Sequence, residues 1–164
     1  MNTSRTCRVV GIDPGLNVTG YGVVDFFTGS AEPLIVEAGT IRTDPKADMG
    51  RRIEQIHADL CALLAEMKPD RMGIEKLYAH YNHPRTAILM GHVRGVVLLV
   101  AQQAGIAVRN LEATKIKKSL TGNGHASKQQ VQRAIQSLCN LPHLPAPPDV
   151  ADALAIALCA ERHG

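Results

Sequence analysis

The sequence predicts a single α/β domain, on three observations. Residues 8–24, Arg-Val-Val-Gly-Ile-Asp-Pro-Gly-Leu-Asn-Val-Thr-Gly-Tyr-Gly-Val-Val, read as two apolar strands joined at a Pro14-Gly15 turn. Met49, Ile53, Ile56, Leu60, Leu63, Leu64 and Met67 recur at spacings of three and four, one face of an amphipathic helix. Arg71-Met-Gly-Ile-Glu75 then reads as a further short strand. The 164 residues suffice for one sizeable core, and no Pro/Gly/Ser-rich or charge-run linker and no internal repeat divides them.

The first strand is apolar through Val9, Val10 and Ile12 and stops at Asp13. The turn places that carboxylate at the end of the sheet, where poor solvation makes its charge costly without a cation, a hydrogen-bond network or a proton. Val18 to Val24 pairs back on the first strand, and Pro33 to Thr43 forms a third, with Gly29 in the turn before it. The helix through Met49 and Met67 ends at Pro69 and covers this antiparallel sheet. The strand after it finishes on Glu75, the second apolar run that stops at an acid. Residues 76–83 form a polar and aromatic loop. From Pro84 an apolar helix runs to about Ala104 through Ile88, Leu89, Val93, Val96, Val97 and Val100, expected to be buried on most sides. Gly105 stops it, and Ile106 to Val108 makes a short last strand.

After that strand the sequence turns basic. The net charge of +3 and pI near 8.8 are only mildly basic, so placement says more than the average. Arg109, Lys115, Lys117, Lys118, Lys128 and Arg133 fall within 25 residues that hold one acid, Glu112. Gly122-Asn-Gly124 separates two helical patterns there. Pro142, Pro145, Pro147 and Pro148 then stiffen the connection to a final helix, Asp149-Val-Ala-Asp152-Ala-Leu-Ala-Ile-Ala-Leu-Cys, which opens on an N-cap-like acid. The four cysteines are far apart with no Cys-x-x-Cys spacing, which suits reduced thiols and speaks against zinc. No run approaches eighteen apolar residues and residues 1–8 lack an apolar core, so the expectation is a soluble, cytoplasmic protein without signal peptide, span or membrane partner.

Asp149 and Asp152, three residues apart, put two carboxylates on one side of a first helical turn. With Asp13 and Glu75 they make four acids at the edges of apolar elements, a hard oxygen set suited to Mg²⁺ or Mn²⁺. Two such ions about 3.5–4 Å apart can activate water and stabilise the leaving oxygen of a phosphodiester. Beside a basic segment, that chemistry points to cleavage of nucleic acid. Each residue also has a plainer reading. Asp149 fits a cap, Asp152 a favourable dipole charge, Asp13 an ordinary turn and Glu75 an exposed strand end; the lysines fit a solvated helix face. Tyr78 and Tyr81, two of only three tyrosines, could stack on unpaired bases or pin their own loop. His80 and His83 lack a nearby third ligand and read as solvated.

Taken together, these stretches resemble the RuvC family of Holliday-junction resolvases over nearly the whole chain. The residues that carry the resemblance are Gly11-Ile-Asp-Pro-Gly15, Thr19-Gly-Tyr-Gly-Val23, Ile74-Glu75, Gly91-His-Val-Arg94-Gly95-Val96, Gly122-Asn-Gly124-His-Ala126-Ser-Lys128-Gln-Gln-Val131 and Asp149-Val-Ala-Asp-Ala-Leu-Ala155. The resemblance implies a ribonuclease-H-like fold, a five-stranded mixed sheet with helices on both faces, acting as a homodimer on four-way junction DNA. It implies that Asp13, Glu75, Asp149 and Asp152 are the catalytic acids and hold two Mg²⁺, with Mn²⁺ as a substitute and Asp13 as the bridge. It gives Tyr78 a base-stacking role and places Lys117 and Lys128 on the DNA face, with Lys115 and Lys118 extending the charge. It also implies a branch-migration helicase complex as partner. Lys76 and Asn17 depart from the family pattern without touching the acids, and His125 and Ser127 depart from it in a way that bears on local DNA contacts and not on the reaction. Three alternatives remain: a related nuclease on other branched or RNA-containing substrates, a junction-binding module without turnover, and a nucleotide-binding module of the actin and sugar-kinase type. The last needs two lobes, and this chain has residues for one.

Overall fold

The computed structural model describes residues 4–77 and 84–162. In chain order the elements are β1 (Arg5–Asp13), β2 (Val18–Phe27), β3 (Leu34–Arg42), α1 (Met49–Met67), β4 (Arg71–Glu75), α2 (Pro84–Gln103), β5 (Ala107–Leu111), α3 (Ala113–Thr121), α4 (Lys128–Leu138) and α5 (Pro148–Arg162). They build one five-stranded sheet in the order β3-β2-β1-β4-β5. Short turns join β1, β2 and β3 antiparallel, whereas β4 and β5 enter parallel after helical crossovers. The sheet is therefore mixed.

Strand alternation divides the apolar residues between two faces. Val10, Ile12, Val23, Met72 and Ile74 pack with α1 and α2, while Val9, Val24 and Leu111 pack with α3, α4 and α5. Helices thus cover both faces. The alanine-rich α5 is buried from Val150 to Ala160 apart from Asp152, because it lies between the sheet and the two helices before it. Small residues let it approach closely: a Cβ on Gly11 of β1 would lie 2.1 Å from the Ala153 carbonyl oxygen. The far end of the hairpin is held by Arg8, whose guanidinium donates to both carboxylate oxygens of Asp25 at 2.7 Å. Asp25 is buried, and removing one partner of such a pair costs about 3–5 kcal/mol.

Two boundaries and one pattern of burial differ from the sequence reading. The last strand extends to Leu111, since Arg109 and Asn110 pair with β4 despite their polarity. The last helix begins at Pro148, so Asp149 stands inside the first turn and is not its cap. Helix α2 is buried along one side only, through Val93, Val96, Val97, Val100 and Ala101, and leaves Ile88, Leu98 and Leu99 exposed. With a mean hydropathy of 1.3 it is also long and apolar enough to cross a membrane by length and composition. Counting consecutive apolar residues missed this, because single polar residues such as Arg94 interrupt the run without lowering the average much.

Candidate active site

The sheet brings the first two acids together. β1 and β4 run parallel with Ile12 level with Ile74, so Asp13 and Glu75 end neighbouring strands at the same end of the sheet. The other two come from above. Gly20 pairs with Asp13 across the hairpin, and a Cβ on it would lie 2.1 Å from the Asp149 carbonyl oxygen, so the first turn of α5 rests directly on β2. Asp149 and Asp152 then lie close enough to act electrostatically on Asp13. All four side chains are half-buried.

This crowding costs charge. Burial, followed by the fields of Asp152, Asp149 and Glu75, pushes the Asp13 carboxyl up to about 7, with Lys128 opposing. Glu75 is also raised, first by burial and then by Asp152, while Lys117 and Lys128 pull it back. Lys128 Nζ lies 3.6 Å from Asp152 Oδ2 in a well-exposed pair, an interaction worth at most about 1 kcal/mol. Lys117 joins Glu75, Asp152 and Lys128 in lining a cavity of about 310 Å³.

The basic segment therefore splits. Lys115 is two residues from Lys117, about 200° around α3, and its charge falls on Cys159 rather than on the acids. Lys118 is exposed in the last turn of α3, where a cation complements the helix dipole. Glu112, the one acid of that segment, pairs with Lys76 at 3.2 Å. Tyr78, Tyr81, His80 and His83 lie outside the described residues.

Two arginines that sequence reading gave no role support the strand ends. The turn after Asp13 is pinned by Thr19 Oγ1, which donates to the Gly15 carbonyl at 2.7 Å, and by Thr43 Oγ1, which donates to the Leu16 carbonyl at 2.5 Å. Arg52, buried in α1, donates from Nε to Thr43 Oγ1 at 2.9 Å and from Nη2 to Asn17 Oδ1. On the other side Arg94 of α2 donates to the Glu75 carbonyl and to Asn110 Oδ1. The available signal was a cation on the apolar side of each helix: Arg52 between Met49 and Ile56, Arg94 between Val93 and Val97.

The family model described as Crossover junction endodeoxyribonuclease RuvC matches residues 9–160. The chain belongs to the RuvC family. It is 46% identical over 156 residues to a RuvC from Rhodopirellula baltica, covering 95% of this chain and 86% of that one. A RuvC from Magnetococcus marinus is 40% identical, with 97% and 86% covered. Among solved structures, Thermus thermophilus RuvC in complex with Holliday junction substrate superposes with a TM-score of 0.90 at 30% identity, over 96% of this chain and 94% of that one. The yeast mitochondrial Holliday junction resolvase, at 14% identity and a TM-score of 0.70, shares the fold. The fold is that of the ribonuclease-H-like resolvases, and membership in the RuvC family makes the chain an endodeoxyribonuclease acting on phosphodiester bonds.

The RuvC family implies a metal-dependent reaction, and the donor set fits one. Asp13, Glu75, Asp149 and Asp152 offer only hard oxygen ligands, and a carboxyl pushed up to about 7 by burial and by its acidic neighbours is one that a divalent cation would return to its charged form. Among the described residues no three acid, histidine or cysteine side chains are gathered tightly enough to hold an ion as they stand. The fit accordingly lies in donor chemistry and charge.

Proposed function

We propose that this chain resolves four-way DNA junctions as a homodimer, each subunit nicking one strand by Mg²⁺-dependent hydrolysis to leave ligatable ends. The observation that carries this is the convergence of four carboxylates from β1, β4 and α5 at one end of the sheet, where burial and the neighbouring acids push Asp13 up to about 7, beside Lys117 and Lys128. Asp13, Glu75, Asp149 and Asp152 would hold two Mg²⁺, or Mn²⁺ in their place. When bound, these ions supply an activated water and charge stabilisation at the leaving oxygen.

The chain's own residues do the rest. Arg52, Thr43 and Thr19 pin the turn after Asp13, so that its carboxylate is held in one orientation as a ligand. Lys117 and Lys128 draw a phosphate toward the acids and partly offset their charge. Lys115 and Lys118, turned elsewhere on α3, serve a flanking phosphate run, and Tyr78 stacks on a base near the junction centre. The Thermus relative, solved in complex with a Holliday junction substrate, supports this substrate class.

The exposed stripe of α2 supports the homodimer. Ile88, Gly91, Gly95 and Leu99 follow one another at helical spacing, and Ile88 and Leu99 are 62% and 50% exposed. A Cβ on Gly91 or Gly95 would meet nothing within 4 Å among the described residues. Mid-helix glycine costs about 0.5–1 kcal/mol against alanine, and here no contact within the described residues requires it. A second copy packed on α2 gives both the apolar residues and the glycines a partner.

The test is cleavage of a labelled, non-migrating four-way junction beside a linear duplex of the same sequence, on several arm sequences, with Mg²⁺ or EDTA. Symmetric nicks confined to the junction, requiring Mg²⁺ and lost in Asp13→Asn, are expected. Tight junction binding without cleavage on any sequence would favour a binding module instead.

A further inference from the structure

Glu75 stands between two cavities. On the α3 and α4 side it lines the space of about 310 Å³ with Lys117, Lys128 and Asp152; on the α2 side it lines a smaller one of about 80 Å³ with Asp13, Lys76, Leu77, Met90 and Arg94. The cations that favour its ionised form, Lys117 and Lys128, belong to the first side. Arg94 approaches from the second and reaches Glu75 differently, through hydrogen bonds to backbone and amide.

Glu75 is the last residue of β4, and the amide of the next residue, Lys76, donates to the Leu111 carbonyl at 2.7 Å before the chain leaves the sheet. At that point the Arg94 guanidinium takes the Glu75 carbonyl with one arm and Asn110 Oδ1 of β5 with the other. Arg94 forms no ion pair among the described residues. A guanidinium partly withdrawn from water and given only neutral acceptors is costly for stability alone. Its planar fork, however, ties the last carbonyl of β4 to the Asn110 side chain of β5 in one geometry, which a lysine cannot do.

We propose that Arg94 is a positioning residue: by clamping the Glu75 carbonyl to Asn110 it sets where the Glu75 carboxylate stands as a metal ligand. This rests on the reading of Glu75 as a ligand. Arg94 touches neither metal nor DNA in this role. Partners that orient a ligating group in this way typically change metal affinity by about 10–100-fold when lost.

The experiment measures Mn²⁺ binding to the DNA-free protein by electron paramagnetic resonance, and junction binding in EDTA across a salt series. The proteins are the wild type, Arg94→Leu, Arg94→Lys, Asn110→Ala, Glu75→Gln and the double variant Arg94→Leu/Glu75→Gln. Arg94→Leu is expected to weaken Mn²⁺ binding about tenfold while junction affinity in EDTA and its salt slope stay unchanged. Arg94→Lys should recover only part of the loss, and the double variant should bind Mn²⁺ no worse than Glu75→Gln. Should Arg94→Leu fold poorly, Asn110→Ala removes one of the two acceptors and should show a smaller loss of the same kind. Unchanged Mn²⁺ affinity in Arg94→Leu and Asn110→Ala, with a loss in Glu75→Gln, overturns the positioning role alone. Weaker junction binding in EDTA with a shallower salt slope overturns it in favour of a phosphate contact. Unchanged Mn²⁺ affinity in Glu75→Gln removes the ligand reading underneath.

Discussion

The Asp149 carbonyl occupies the space where Gly20, the hairpin partner of Asp13, would carry a side chain. The final helix can therefore start directly against the first hairpin, and Asp149 and Asp152 arrive beside an acid that repels them. The attraction that assembles the site is apolar: α5 buries Val150, Ala151, Ala153 and Leu154 in the same two turns that carry the acids. Packing energy thus holds four acids together, and burial, with the neighbouring acids adding to it, raises the Asp13 carboxyl.

Gly20→Ala tests this seat. The added methyl meets backbone that cannot rotate away, so α5 must shift, a form of overpacking that costs about 1–3 kcal/mol. For a chain of this size Tm should fall by about 2–12 °C. Cleavage at a temperature where the variant is still folded should fall further than the folded fraction explains, because Asp149 and Asp152 move with the helix. Gly50→Ala, at an exposed position in the first turn of α1 where a Cβ meets nothing among the described residues, serves as the control and should leave both quantities at or above wild type. Equal behaviour of the two variants would show that the close approach of α5 to β2 does not set the site.

Asp13 makes stability depend on pH. Its folded value of about 7 lies above the ordinary 3.8, so the folded state holds the proton more tightly than the unfolded chain. The associated stability is fully present below about 3.8 and is lost as pH rises through about 7. In EDTA, Asp13→Asn should melt several degrees above wild type at pH 8, at about 2–4 °C per kcal/mol recovered, and the gap should close toward pH 4. Mg²⁺ at pH 8 should raise the wild-type Tm and leave the variant nearly unmoved. A gap that does not change with pH would show that burial and the neighbouring acids do not act on Asp13 as described.

Those parts of the fold set by local pattern could be read from sequence. Val9, Val10 and Ile12 stopping at Asp13, and Met72 and Ile74 stopping at Glu75, need only alternation and a turn to be placed at strand ends. What escaped depends on distant partners. Arg109 and Asn110 look like a loop until β4 supplies a parallel neighbour, and the Asn110 side chain finds its partner when Arg94 reaches it from α2. An all-round apolar helix such as α2 looks the same whether its second side meets the core or another chain. The lysines showed charge density but not direction, which depends on how α3 is rotated against α5.

That rotation separates two sets of lysines by effect. Lys117→Ala with Lys128→Ala removes the cations that favour ionised Glu75, so cleavage of saturating junction should fall about 10-fold or more, together with weaker binding. Lys115→Ala with Lys118→Ala leaves the acids alone. Its binding should weaken and the slope of log affinity against log salt should shrink by roughly one unit for each phosphate no longer neutralised, while saturated cleavage stays near wild type. Quench-flow cleavage at saturating junction and a fluorescence salt titration separate the two. Identical losses from both pairs would mean that the segment acts as one undivided surface.

The exposed side of α2 bears on paired cutting. Leu99 is half-exposed and lies on the stripe with Ile88, Gly91 and Gly95, so a carboxylate there stays in solvent in the single chain and would be buried by a second copy. Leu99→Glu should therefore keep the wild-type Tm at low concentration, where dimer contributes least, yet sediment as a monomer at micromolar protein. A monomer brings one site to the junction, so it should nick one strand at a time and release mostly singly nicked DNA from a supercoiled cruciform plasmid, where the wild type, on the proposed dimer, should give linear product. Gly95→Leu should do the same through bulk instead of charge, at little cost to its own helix. If both variants remain dimers and still linearise the plasmid, the two subunits meet through another surface, and the glycines of α2 need a different explanation.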